Sequence, residues 1–306
     1  MDVSVEPRGG ALGHAGPSFW LTPAAYWVPA HLPASAWHAH GPFAAWLVDV
    51  LRPNGIVELG THYGYSCFAF AEAAKRLGLD TTISALDTWE GDDHAGHYGD
   101  EVFDYVTRVT QSDYPESVQL VRGYFSQSRG QFADGSIDLL HIDGRHAYED
   151  VVGDFHEWRS VVRDGGVILF HDIAERESGF GVWRLWEEIA EPRRSFAFEH
   201  GHGLGVLAVG DVSRAPLREL FTADVTTSER IRADFNRLGD VVARQVWLES
   251  EVERKSVEIQ QRAAHEDELG AALALQQGYI DELKASTSWR VTAPLRAVGK
   301  LRPHRD

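Results

Sequence analysis

The chain has 306 residues, 43% apolar and 25% charged, the composition of soluble globular domains and enough length to bury a substantial core. That excludes a disordered or collagen-like chain, and no window approaches the roughly 20 apolar residues of a membrane-spanning helix. A single cysteine, Cys67, excludes an internal disulfide framework and a cysteine zinc cage; with no secretory signal pattern visible, a cytoplasmic location is expected. The net charge is −17, and residues 1–210 carry −16 of it. So acidic a body repels a phosphate backbone, which argues against nucleic acid as substrate and suits a pocket for cations such as a sulfonium or a divalent metal.

Residues 1–40, rich in Pro, Ala, His and aromatics, read as an N-terminal arm or lid over the main domain. GPFAAWLVDVLR (41–52) has helical apolar spacing and stops at the Pro53-Asn54-Gly55 turn. IVEL (56–59) is a strand, SCFAFAEAAKRLG a helix, TTISAL (81–86) a strand and VFDYVTRVTQ (102–111) a helix. VQLVRG (118–123), IDLLHI (137–142) and GVILFHDI (166–173) are further strands. A helix through YEDVVGDFHEWRSVVRDGG, closed by Asp-Gly-Gly, separates the last two. GFGVWRLWEEIA (179–190) is helical, and SFAFEH with GVLAVG forms a terminal antiparallel pair. This alternation predicts an α/β fold, a doubly wound, mostly parallel sheet of seven strands with its ligand site at the carboxyl ends of the strands.

Residues 211–306 are expected to form a separate helical extension with a basic tail, leaving 41–210 as the catalytic domain. A heptad reading puts Val252, Ile259, Leu273 and Ile280 at a, and Leu248, Lys255, Arg262, Leu269, Gln276 and Leu283 at d. Glu266 at a and three polar d residues interrupt the seam, so a coiled coil and a lone helix both fit. The tail STSWRVTAPLRAVGKLRPHR is aromatic and basic, suited to a partner or an anionic membrane surface; a disordered solubilising tail fits it equally.

The first strand leads into ELGTHYGYS (58–66), where only Gly60 and Gly64 stand in place of the G-x-G-x-x-G dinucleotide fingerprint, which disfavours a nicotinamide dehydrogenase. Glu58 suits a cationic amino-acid ligand, Gly60 permits close backbone approach, and Ser66 can cap the next helix or bond a carboxylate. Asp87 ends the second strand, where an acid accepts ribose hydroxyls. The loop that follows, with His94 and His97, either lines the site or is simply solvated.

The succession VELGTHYGYS, ALDTWEG, HIDGRHAYEDVVGDFHEW and GGVILFHD, covering about residues 40–210, resembles class I S-adenosylmethionine-dependent methyltransferases, in particular bacterial sugar and macrolide O-methyltransferases. The corner VELGTHYGYS is similar to that of catechol O-methyltransferase. The resemblance implies that Glu58, Gly60, Thr61, Ser66 and Asp87 bind S-adenosylmethionine, with Gly123 and Tyr124 near the adenine. Asp143, His171 and Asp172 are the expected ligands of a divalent cation, Mg2+ by the oxygen donors, although His171 departs from the carboxylate or amide of related metal-dependent enzymes and suits manganese or iron better. Alternatively His171 packs internally and Asp172 touches the cofactor. His146 is the expected general base. The tail resembles a short segment at the ends of bacterial polysaccharide glycosyltransferases. Together these imply O-methylation of a sugar hydroxyl in a surface polysaccharide or glycosylated natural product. A homo-oligomer or glycosyltransferase partner through the helix and peripheral contact at the inner membrane face are the expected associations. The rival reading is a catalytically silent scaffold of a glycan-assembly complex that uses the helical extension.

Overall fold

The computed structural model describes residues 18–92, 96–177 and 179–299. Seven apolar runs pair into one sheet: β1 (Gly55–Leu59), β2 (Thr82–Asp87), β3 (Val118–Arg122), β4 (Ile137–Ile142), β5 (Val162–His171), β6 (Ser195–Phe198) and β7 (Leu204–Ala208). Their order across the sheet is β3-β2-β1-β4-β5-β7-β6. The first five run parallel, while β7 is antiparallel to both β5 and β6. The order reverses between β1 and β4, and a cleft for ligands opens at the carboxyl ends of strands at such a switch point.

Both faces are covered, as continuous apolar strands require. One face buries Trp37, Phe43, Trp46, Phe68, Phe70 and Phe198 beneath α1 (Gly41–Leu51), α2 (Tyr65–Arg76) and α3 (Asp100–Asp113). The other buries Phe155, Trp158, Phe170 and Trp186 beneath α4 (Tyr148–Trp158) and α5 (Val182–Ile189). Trp20, Ala24, Ala25 and Trp37 of the N-terminal segment belong to the first core, so its described part packs on the main body.

Two boundaries differ from the sequence reading. The helix expected to run to Asp-Gly-Gly stops at Trp158, and β5 already begins at Val162. Here Asp164-Gly165-Gly166 is a kink inside a strand rather than a helix stop: the β4–β5 register shifts there, and the Gly165 N–H donates to the Val209 carbonyl at 2.7 Å. Nor does the chain divide at 210/211, since its two compact units are residues 1–245 and 246–306. Leu217, Leu220 and Phe221 of α6 (Ala215–Thr222), and Ile231, Phe235 and Val242 at the start of α7 (Val225–Ala285), sit in the first core. A side chain at Gly239 would meet the Ala39 carbonyl at 2.2 Å, so this part of α7 lies directly against the arm. In the second unit α7 continues to Ala285, with short helices Thr287–Val291 and Ala293–Gly299 after it. No described helix is long and apolar enough to cross a membrane.

The corner after β1 depends on Gly60, whose φ is +91°; a Cβ there would lie 2.0 Å from the Asp143 carbonyl oxygen. Gly60→Ala combines backbone strain with that collision and is expected to cost about 3 kcal/mol of stability, read as a lowered urea midpoint with an unchanged m-value.

Candidate active site

A cavity of about 650 Å3 opens where the carboxyl ends of β1, β2 and β4 meet. Its lining brings together five of the expected site residues: Gly60, Asp87, Tyr124, Asp143 and His146. His97 also lines it, while His94 lies outside the described residues.

Asp87 is nearly enclosed. Its Oδ2 accepts the Thr61 and His62 N–H groups, each at 2.8 Å, and its Oδ1 accepts that of Trp89 at 2.7 Å. The carboxylate thereby pins the turn after β1 to the end of β2, and a carboxylate's roughly four acceptor positions leave one for a ligand hydroxyl. Thr61 contributes through this backbone bond. The Gly123 N–H donates to the Asp87 carbonyl at 2.9 Å, which carries the chain to the exposed Tyr124 ring on the cavity wall. Glu90, three residues after Asp87, lines the same wall. It opens the loop that the sequence left as either site lining or solvated, and stands in the same DTWEG run as Asp87.

Glu58 and Ser66, expected to bind the cofactor, stand elsewhere. Both are buried outside the cavity lining, and the Ser66 hydroxyl donates to Glu58 Oε1 at 2.6 Å. Glu58 pairs with His141 across the β1–β4 register, and His141 Nδ1 lies 3.0 Å from the same carboxylate oxygen. The second oxygen, Oε2, has no hydrogen-bond partner. His141, which the sequence reading did not single out, reaches toward Asp143, its Nε2 being 3.9 Å from Oδ2.

Asp143 follows β4 and Asp172 follows β5, neighbouring strands, so their carboxylates converge. His146 Nε2 lies 2.9 Å from Asp172 Oδ2 and 3.5 Å from Asp143 Oδ1. His171 Nδ1 lies 3.3 Å from an oxygen of each. Asp172 holds a left-handed φ of +61°, a strained setting that clusters at functional sites. The His146 ring stacks on Phe180 at 4.6 Å. Ligand atoms of Asp143, His146 and Asp172 all lie within 4.8 Å of one another, a mixed oxygen and nitrogen set that fits Mg2+, Mn2+ or Fe2+. His146 joins Asp143 and Asp172 in the grouping close enough to hold a cation, while His171 presents Nδ1 to the same two carboxylates with its Nε2–H on the Gly201 carbonyl at 3.1 Å.

Residues 57–173 match a protein-family model described as a methyltransferase domain. An uncharacterized protein of Sinorhizobium fredii is 46% identical over 199 residues, 65% of this chain and 22% of its own length. The chain therefore spans about a fifth of that relative. Among solved structures, an O-methyltransferase from Bacillus cereus in complex with SAH is similar at 20% identity, covering 59% of this chain and 84% of that one (TM-score 0.44). The O-methyltransferase TomG from Streptomyces achromogenes, involved in tomaymycin synthesis and solved with SAM, is similar at 16% identity, covering 57% and 88% (TM-score 0.43).

The cluster's charges set its protonation. Burial alone would lower the His146 pKa, but hydrogen bonds to Asp143 and Asp172 outweigh it and lift it to about 9. At His171 burial is likewise overridden, here by the charges of Asp143 and Asp172, which raise it to about 10. Burial opposes ionisation of Asp143 and Asp172 too, yet the charge of His171 and the bonds from His146 hold Asp143 well below the usual range and bring Asp172 to about 2. Asp154, on α4, lines the cavity; burial, then Asp150 and Glu157, raise it to about 7. Folded-state values raised above about 6.5 give stability that is complete below that pH and lost as pH climbs through about 9 and 10. Urea midpoints measured in chelator should therefore fall between pH 7 and 10, and flat midpoints would contradict the paired cluster.

Proposed function

We propose, from the match of residues 57–173 to a methyltransferase-domain model, that the protein transfers the methyl group of S-adenosylmethionine to a hydroxyl of a sugar-bearing acceptor, with a divalent cation held by Asp143, His146 and Asp172. The observation that carries this reading is the meeting, in one cavity, of the Gly60–Asp87 corner with Asp143 and His146 of the carboxylate–imidazole cluster, Asp172 standing behind them.

The residues present fit such a cosubstrate. Asp87 keeps an acceptor position for a ribose hydroxyl, with Glu90 as a second acid beside it. Tyr124 offers an aromatic surface for adenine, and the acidic lining of Glu149, Asp150 and Asp154 favours a cationic ligand. Glu58 and Ser66 support the corner from beneath. A bound divalent cation would supply a Lewis acid that lowers the pKa of an acceptor hydroxyl.

His146 Nε2 faces both carboxylates, so the same nitrogen serves either the cation or the acceptor's proton. In the metal-free protein that nitrogen is protonated at neutral pH and takes no proton until about pH 9. Cation binding must expel this proton, so affinity for the cation rises with pH. Aligning the two reactants accounts for much of the acceleration. Asp154, near neutrality and on the same wall, is placed to take the hydroxyl proton in its ionised form.

Labelled methyl transfer to a panel of glycosides and nucleotide sugars tests this reading. Transfer should need Mg2+ or Mn2+ and stop in EDTA; full activity in chelator would remove the cation. Loss of His146 as alanine should weaken cation affinity and lower transfer at limiting Mg2+, while Asp154→Asn should lower kcat by about 10²–10⁴-fold. Asp87→Ala should weaken S-adenosylmethionine binding by about 1.5–3 kcal/mol in calorimetry; unchanged affinity would take Asp87 out of the cosubstrate site.

A further inference from the structure

The second unit exposes apolar side chains along one helix. Leu248, Val252, Ile259, Leu269 and Leu273 of α7 are 47–66% exposed and recur at the 3.5-residue spacing of a coiled-coil seam. Lys255, Arg262 and Glu266 occupy the same stripe, all exposed. A lone helix has no reason to keep a periodic apolar stripe, whereas a paired one buries it.

The three charges choose among pairings. In a parallel pair in register each seam residue faces its own copy, which sets Lys255 on Lys255, Arg262 on Arg262 and Glu266 on Glu266. Three like-charge layers in a desolvated seam oppose that arrangement. In an antiparallel pair a positions face d positions. One register then places Glu266 against Lys255 of the second copy, Leu269 against Val252, Leu273 against Leu248, and the aliphatic stem of Arg262 against Ile259. Shifting by one heptad toward the C-terminus pairs Arg262 with Glu266 but sets Lys255 against Leu273 and Val252 against Gln276. The flanking positions agree with the first register. Glu258 falls beside His265 of the second copy, and Ser256 beside Ala263, whose small side chains let the helices approach.

We propose that α7 of the second unit pairs with α7 of a second copy of this chain, antiparallel, in the register that joins Lys255 to Glu266. The polar residues that interrupt the heptad pattern then specify orientation and register, as single buried polar residues do in other coiled coils. Lys255 exchanges its present partner Glu258, at 3.3 Å, for a charge across the seam.

Light scattering on the full chain should give a dimer, and a monomer throughout the micromolar range would overturn the proposal. Lys255→Glu and Glu266→Lys each create two repulsive layers and should each weaken the dimer by about tenfold or more. The double exchange should restore it, and mixing the two single variants should form the heterodimer. Since these side chains are exposed on the helix, circular dichroism should show every variant equally helical. Orientation is read by oxidising mixed Val252→Cys and Leu269→Cys chains. The proposed register brings the two positions within disulfide reach, so the mixed species should dominate. In a parallel pair they stand about 25 Å apart, and same-residue crosslinks in its place would refute the antiparallel arrangement.

Discussion

A carboxylate enclosed in apolar surroundings is stable only if its charge is answered, and Glu58 is enclosed completely, with 0% exposure. Its partners are Ser66 on α2 and His141 on β4, so one side chain ties the first strand to the first helix and to the neighbouring strand across the switch point. The geometry above it follows from that tie. With β1 and β4 locked in register, the Gly60 turn packs under the Asp143 carbonyl, and Asp143 is carried to the mouth of the cavity. The Asp87 bonds to Thr61 and His62 close the same turn from the β2 side.

Next to this tie stands a small electrostatic balance. Asp143 and Asp172 bring two negative charges, which protonated His146 and His171 neutralise in the metal-free protein. A divalent cation would carry the same compensating charge in one atom, so exchange with it would leave the space neutral only if both rings gave up their protons. The strained backbone at Asp172 turns its carboxylate back toward His146, and the Phe180 ring fixes the imidazole plane.

The fold was legible because the strands are continuous apolar runs separated by helical periodicity, and that pattern alone fixes a doubly wound parallel sheet. Gly60, Asp87, Asp143 and His146 were legible for a related reason: Asp87 is the last residue of a strand and the others stand one to four residues beyond strand ends, where such sheets place ligands. Glu58 and Ser66 share that neighbourhood but point into the sheet, a distinction of side-chain direction that spacing does not reveal. His141 was invisible as a site residue because it reads as one polar interruption of an apolar strand; only the register with β1 gives it Glu58. That both His146 and His171 turn a ring nitrogen to the two carboxylates had the same origin, since sequence shows two histidines near two aspartates but not which nitrogen each presents. The kink at Asp164-Gly165-Gly166 carries the residues of a helix stop, and tertiary pairing with Ile137 and Val209 overrides that local signal.

The Gly201 carbonyl accepts from two imidazoles, His40 Nε2 at 2.9 Å and His171 Nε2 at 3.1 Å. A carbonyl has no proton to give, so both rings must carry hydrogen on Nε2. From that shared starting point their fates diverge. Burial and then the neighbouring charge of His171 push the His40 pKa well below its ordinary value, whereas His171 faces two carboxylates with Nδ1 and takes a second proton. One backbone oxygen, in the turn between β6 and β7, thereby fixes the same tautomer on adjacent histidines, and the carboxylates beyond one of them make that ring cationic. Which nitrogen His171 turns to the acids is thus set by a turn about thirty residues downstream in the chain, which contributes no side chain to the chemistry at all.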